Sequence, residues 1–111
     1  MREYKLYIDD ILEAIKRIEK YTKGLSLQGL KKKDLVVDGV ARNLEIIGEA
    51  AKNIPHLVKE KYPDIEWKKI AGLRDILAHE YFGVDLEVLW DIIKKKLPDL
   101  KKKVSLIAKR R

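Results

Sequence analysis

Apolar residues recur along most of the chain with the spacing of an amphipathic α-helix. In the first segment they follow i, i+3, i+4, i+7 spacing with charged residues between them: Tyr4, Ile8, Ile11, Leu12, Ile15 and Ile18. This pattern predicts a helix that ends near Tyr21, followed by a glycine-containing loop, TKGLSLQG. A second helix is predicted from about Lys32 to Asn53, and Pro55 stops it. Gly48 within this helix is small enough to let another helix approach closely.

After Pro55 the helical pattern continues in shorter pieces. The stretch PHLVKEKYPD is expected to form a short helical turn that Pro63 closes. A third helix is predicted to begin near Asp64 or Ile65 and to end by Gly83, because glycine suits the left-handed cap of a helix.

Asp85 is expected to cap a fourth helix, which Pro98 breaks or kinks before a last helix begins. No stretch alternates apolar and polar residues with the period of two that a strand exposed on one face needs. The sequence therefore predicts an all-α fold in a single domain over residues 1–111, an up-and-down bundle of four to five helices.

The amino-acid composition indicates where in the cell the protein is expected to be located. The chain has no cysteine, which excludes disulfides and thiolate chemistry and favours a reducing, cytoplasmic location. No uninterrupted apolar stretch approaches the length of about 18 residues that a membrane span needs. We therefore expect a cytoplasmic protein with no membrane association.

The net charge of +7 comes from the C-terminal end. Residues 94–111 hold nine lysines and arginines and one acid, whereas the other 93 residues hold 16 bases and 17 acids. Such a segment could attract a polyanion such as RNA. A solvated lysine-rich helix face is the simpler interpretation of the same residues.

Candidate chemistry is concentrated in RDILAHEY, residues 74–81. On an ideal helix Arg74 and Tyr81 lie on nearly the same face, whereas Arg74 and His79 diverge by about 140°. Asp75 and His79 form an i, i+4 pair of acid and base, so the stretch is also typical of an ordinary amphipathic helix end. The other histidine, His56, follows Pro55 in a turn and is expected to be exposed.

The same residue types could cleave RNA without a metal. A histidine can transfer the proton of a ribose 2′-OH, and an arginine can donate paired hydrogen bonds to a phosphate. One chain offers one suitable base, whereas a twofold dimer would bring two copies of Arg74 and His79 to one cleft. A nuclease of this kind is therefore predicted to be a dimer.

A metal site is the weaker alternative. Asp38, Glu45 and Glu49 on the second helix could hold a divalent ion, but Arg42 beside them favours ion pairing. No phosphate-binding glycine loop or zinc motif is present, and we expect neither metal nor cofactor.

The octapeptide resembles the R-x4-6-H signature of HEPN-domain proteins, here with the form R-x4-H-x-Y. The flanking stretches DGVARNLEIIGEAAKNIP and DIEWKKIAGLRDILAHEYFGVDLEVLWDII are similar to the small HepT toxins of HepT/MntA toxin–antitoxin pairs. The resemblance implies a helical bundle that dimerises around a cleft, and many HEPN proteins are metal-independent ribonucleases.

Matched position by position, the resemblance gives each polar residue a role. Arg74 and His79 would be the catalytic pair, and Asp75 would be the supporting polar residue that follows the arginine. Tyr81 would be the tyrosine that a partner nucleotidyltransferase, the MntA-like antitoxin, modifies with AMP to silence the toxin.

Three hypotheses follow. The first is a metal-independent endoribonuclease toxin that cleaves RNA at a dimer cleft. The second is a noncatalytic helical subunit that docks a nucleotidyltransferase and presents its substrate. The third is a purely structural dimer in which Arg74 and His79 pair with acids.

Overall fold

The computed structural model describes residues 3–74 and 85–110, and these ranges contain helices and turns but no strand. The elements in chain order are α1 (Tyr4–Thr22), α2 (Leu27–Lys31), α3 (Asp34–Lys52), α4 (His56–Lys61), α5 (Trp67–Ala71), α6 (Leu86–Asp91), a π-helical segment (Ile92–Lys96) and α7 (Leu97–Lys109). The predicted all-α bundle is confirmed. In the described ranges no helix is both long enough and apolar enough to cross a membrane.

The centre of the fold is the pair of long helices α1 and α3, and α7 also packs against α1. The apolar stripe of α1 is buried as its spacing predicts, with Ile11, Ile15 and Ile18 fully inaccessible to solvent. Leu44 and Ile47 of α3 are equally buried. Each such side chain stabilises the fold by about 1.5–3 kcal/mol through removal of apolar surface from water. The interface between α1 and α3 therefore fixes the position of α3, which bears much of the candidate site.

A short helix lies where the sequence predicts a loop. The side chain of Ser26 accepts a hydrogen bond of 3.0 Å from the backbone N–H of Gly29 and caps α2. This helix has only five residues, but it places Leu30 fully within the core. Gly24, with φ of +77°, adopts the left-handed conformation that allows the chain to turn between α1 and α2.

The helix predicted to begin at Asp64 or Ile65 begins instead at Trp67. The backbone N–H of Ile65 and the indole N–H of Trp67 both donate to the carbonyl oxygen of Tyr62, at 3.2 and 3.1 Å. Ile65 is therefore buried as part of a turn.

The prediction of one continuous helix to Gly83 is also wrong, because α5 ends at Ala71 and the chain turns at Gly72 before it is helical again at Leu73 and Arg74. The predicted end at Gly83 itself lies outside the described residues.

Pro98 does not break the chain, which stays helical from Leu86 to Lys109. The prediction that Pro98 opens the last helix is confirmed, because α7 begins at Leu97 with this proline in its first turn. A π-helical turn precedes the proline, and the backbone N–H of Leu97 donates to the carbonyl of Ile92, five residues earlier. Leu89, Ile93 and Leu97 lie four positions apart and are all buried, although on a regular α-helix each step of four positions rotates the side chain about 40° further around the axis. The wider turn removes this rotation and keeps one apolar face directed at the core.

Candidate active site around Arg74

Arg74 lies where the backbone of α3 comes closest to the segment that follows α5. A Cβ atom placed on Gly48 would lie 3.0 Å from the backbone nitrogen of Arg74 and 3.2 Å from the carbonyl oxygen of Ala71. A larger residue at this position would require the neighbouring backbone to shift. The predicted role of Gly48 in close packing is therefore confirmed. Gly48 contacts Arg74, which is the first residue of the candidate motif RDILAHEY.

Glu49, the next residue of α3, forms an ion pair with Arg74. The Nη1 atom of Arg74 donates to Oε2 of Glu49 at 2.7 Å, and both side chains are about half exposed. Within the described ranges no other side chain accepts a hydrogen bond from this guanidinium. A guanidinium has five N–H groups, so an arginine held on one edge by a carboxylate has the donors to bind a second anion such as a phosphate.

Arg74 and Glu49 form part of the wall of a recess of about 260 Å³ between α1 and α3. Two guanidinium groups and three carboxylates line it, together with one tyrosine and two apolar residues: Arg42, Arg74, Asp10, Glu45, Glu49, Tyr7, Ile46 and Ala50. The recess therefore combines anion-binding groups with groups able to accept protons.

Two of the four acids of α3, Glu45 and Glu49, pair with arginines, as the sequence interpretation favours. Arg42 lies 3.6 Å from Glu45 rather than beside Asp38, and Glu49 pairs with Arg74. The described residues contain no cluster of three or more acids, histidines or cysteines that could hold a metal ion. Glu49 is the site residue whose role the sequence does not reveal, since its partner lies 25 positions away.

Of the predicted site residues, Arg74 is described, whereas Asp75, His79 and Tyr81 lie outside the described residues. Their roles remain predictions. The other histidine, His56, is highly exposed and its Nε2 lies 2.8 Å from a carboxylate oxygen of Glu60. The expectation that His56 is a surface residue is confirmed.

A larger groove of about 460 Å³ lies between the α5 region and the C-terminal helices and is mainly apolar. Two salt bridges neutralise much of its charged rim, Glu66 with Lys69 at 2.7 Å and Asp99 with Lys103 at 3.1 Å. The hydrogen bond from Lys69, and then its charge, lower the pKa of Glu66, and the same contact raises the pKa of Lys69. These groups already satisfy one another, so the recess at Arg74 is the better candidate for chemistry.

Comparison with known proteins assigns the chain to a family. The Ribonuclease HepT-like family model matches residues 11–107. The chain is 44% identical over 108 residues to the "Probable ribonuclease HepT" of Thermococcus cleftensis, covering 97% of this chain and 98% of that protein. It is 40% identical over 107 residues to a "Putative RNase" of Caldanaerobacter subterraneus subsp. tengcongensis, covering 96% of each chain.

A further relative is a longer protein, and this chain spans only about half of its length. The chain is 45% identical over 106 residues to the "Gamma-glutamylcyclotransferase and putative RNase" of Methanocaldococcus jannaschii, which corresponds to 96% of this chain but only 48% of that protein. No solved structure matches the chain. The family model and these relatives cover nearly every residue, and the chain belongs to the HepT-like ribonuclease family.

Proposed function

We propose that the protein is a metal-independent endoribonuclease toxin that cleaves RNA in a cleft between the two subunits of a twofold dimer. Its family and its relatives' names support a ribonuclease. The observation that carries the proposal is the Arg74 guanidinium, held on one edge by Glu49 at the wall of a recess.

In the proposed reaction the ribose 2′-oxygen attacks the adjacent phosphorus atom, and the bond from phosphorus to the 5′-oxygen breaks. His79 acts as the general base and accepts the proton of the 2′-OH, and a general acid protonates the leaving 5′-oxygen. Arg74 donates hydrogen bonds to the non-bridging oxygens, where negative charge accumulates. In a twofold dimer the His79 of the other subunit is this general acid. Asp75 contributes a further polar side chain next to Arg74 in the sequence.

The activity is proposed to be silenced at Tyr81. A partner nucleotidyltransferase transfers AMP from ATP, so that the phenol oxygen bonds to the α-phosphorus and pyrophosphate leaves. The new phosphodiester brings negative charge and a nucleotide near the motif. It then competes with the RNA phosphate for Arg74.

The decisive experiment measures cleavage of a labelled RNA in EDTA by the wild-type chain, Arg74→Ala and His79→Ala. We expect each substitution to reduce the rate at least a hundredfold, with circular dichroism and molar mass unchanged. Full activity of His79→Ala in EDTA would contradict the mechanism. A wild-type molar mass of one chain under assay conditions would contradict the dimer.

A second candidate is a noncatalytic subunit that docks a nucleotidyltransferase and presents its substrate. An arginine held by Glu49 can bind the phosphate of a nucleotide without any proton transfer, which supports this function. The same ion pair is also what the structural-dimer hypothesis expects of Arg74. Expression of the chain alone separates the two functions. A toxin inhibits growth, whereas a docking subunit leaves growth unchanged.

A further inference from the structure

The C-terminal helices carry a row of cations on the surface directed away from the core. Along α6, the π-helical segment and α7, the residues facing the core are buried: Leu89, Ile93, Leu97, Leu100, Val104 and Ile107. Lys94, Lys102 and Lys109 are exposed. One face of this long helical element is therefore apolar and buried, and another face is basic and exposed.

The π-helical turn brings these lysines closer to alignment. Lys102 and Lys109 are seven residues apart and share a helix face. Lys94 and Lys102 are eight apart, which on a regular α-helix would rotate one about 80° from the other. Because Lys94 lies within the π-helical segment, the wider turn reduces this rotation.

The lysines of this region divide into paired and unpaired groups. Lys95, Lys101 and Lys103 form salt bridges with Asp91, Glu19 and Asp99 at 2.9–3.1 Å. By contrast, Lys94, Lys102 and Lys109 have no carboxylate partner in the described part of the chain. Lys96 forms no salt bridge there either, but it lines the apolar groove near Glu66 and is not part of this row. The charge of Lys94, Lys102 and Lys109 is therefore available to a polyanion.

Aromatic rings accompany this basic row near both of its ends. The Nζ atom of Lys94 lies 4.9 Å from the ring centroid of Trp90, and the Cζ atom of Arg110 lies 5.8 Å from that of Tyr62. Both rings are partly exposed. Trp90 and Arg110 are 20 residues apart, or about 30 Å along a helix. Nucleobases stack on such rings while lysines neutralise the phosphates between them.

We propose that this basic face, defined as Lys94, Lys102, Lys109 and Arg110 with the rings of Trp90 and Tyr62, binds single-stranded RNA outside the Arg74 recess. The inference rests on the proposed function, since it gives the ribonuclease a surface that retains its substrate. A lipid surface fits less well, because an interfacial helix buries its apolar face in the membrane and the apolar face of α7 is already buried in the core.

The test measures binding of a fluorescein-labelled, 12-nucleotide 2′-O-methyl oligouridine by anisotropy. The 2′-O-methyl groups prevent cleavage, so binding is read without turnover. The variant Lys94→Gln, Lys102→Gln, Lys109→Gln should bind at least tenfold more weakly near 0.1 M salt. The slope of log K against log salt concentration should become less steep by about 2, given roughly 0.7 for each phosphate contact on a single strand.

The matched control is Lys33→Gln, Lys52→Gln, Lys68→Gln, which removes the same charge from exposed lysines of other elements. The control should lose less than threefold in affinity. Equal losses in the two triple variants would overturn the proposal, because net charge alone would then explain binding. Equal affinity of the wild type for a 12-base-pair RNA duplex would overturn its single-stranded character, and binding to phosphatidylserine vesicles without binding to the oligonucleotide would replace RNA with a membrane.

A cleavage assay separates this proposal from the proposed function. If both hold, the basic-face variant raises KM for an unmodified RNA and leaves kcat unchanged. An inactive wild type that still binds the oligonucleotide through the basic face would refute the ribonuclease and keep the binding surface. If the enzyme is active but its affinity for the oligonucleotide and its KM do not change when the three lysines are replaced, the binding surface is refuted and the ribonuclease is kept.

Discussion

Glu49 and Arg74, 25 positions apart in sequence, meet in an ion pair with an N–O distance of 2.7 Å. The pair joins α3 to the first residue of the R-x4-H motif, and the neighbouring Gly48 permits the backbone contact beside it. The salt bridge is about half exposed, so it contributes no more than about 1 kcal/mol to folding. Its main consequence is to restrict where the guanidinium can point.

Replacement of Glu49 by glutamine should therefore affect catalysis more than stability. Glu49→Gln keeps the size of the side chain and one acceptor but removes the charge that holds Arg74. We expect the rate of RNA cleavage to fall about tenfold or more through kcat, while the urea midpoint changes little. Glu19→Gln is the matched control, because it removes the carboxylate of a similarly exposed ion pair, with Lys101 at 2.9 Å, that lies outside the recess. Equal rates for the two variants would show that Glu49 does not position Arg74.

A methyl group at Gly48 should disturb both the fold and the site. Its Cβ would lie 3.0 Å from the Arg74 nitrogen, and this contact involves backbone that cannot swing away. Overpacking of this kind costs about 1–3 kcal/mol, so Gly48→Ala should lower the urea midpoint and the cleavage rate together. At Gly29 the nearest atom to a new Cβ lies at 3.5 Å, an ordinary contact. Gly29→Ala should therefore be neutral or slightly stabilising, and a neutral Gly48→Ala would contradict the importance of the close approach.

The core between α1 and α3 should account for much of the stability. Ile15 is fully buried, so Ile15→Ala should cost about 2–5 kcal/mol through lost burial and the cavity left behind. Leu35, at the start of α3, is 87% exposed, and Leu35→Ala should change the free energy of unfolding by no more than about 0.5 kcal/mol. Urea denaturation at constant m-value measures both. Similar costs for the two variants would contradict this position of the core.

These long helices could be predicted because many apolar residues repeat along them with one period. The loop predicted across α2 was wrong because five residues contain too little of that pattern, and burial of Leu30 overrides the local signal of polar residues and glycines. Pro98 correctly predicts the start of the last helix, but not that the chain stays helical before it. Packing of Leu89, Ile93 and Leu97 against the core instead keeps the chain helical through a π-helical turn.

Within the candidate site, the sequence identifies Arg74 but not its partner. The i, i+3 and i, i+4 rules predict contacts within one helix, such as Arg42 with Glu45. The Glu49 contact depends on how α3 packs against a separate segment, which local spacing does not encode. The predicted cooperation of Arg74 with His79 across a dimer stays a prediction, since His79 lies outside the described residues.

The side chain of Asp85 caps the start of α6, and we expect this cap to stabilise the fold. The Oδ1 atom of Asp85 accepts hydrogen bonds from the backbone N–H groups of Glu87 at 2.9 Å and Val88 at 3.3 Å. Asp85→Ala should cost about 0.5–2 kcal/mol, whereas Asp85→Asn keeps an acceptor oxygen and most of the stability. Thermal unfolding measures the difference. Equal melting temperatures for the alanine and asparagine variants would show that the cap is not stabilising.

Modification of Tyr81 should abolish cleavage without unfolding the protein. Incubation of the wild-type chain with ATP and a nucleotidyltransferase encoded beside its gene should add the mass of AMP to a peptide containing Tyr81. Because the added phosphodiester competes with RNA for Arg74, the modified protein should lose activity and much of its affinity for RNA. Tyr81→Phe should escape the modification and stay active in the presence of enzyme and ATP, while Tyr62→Phe, the control, should be silenced like the wild type. Labelling of Tyr81→Phe, or full activity of the labelled wild-type chain, would rule out Tyr81 as the silencing site.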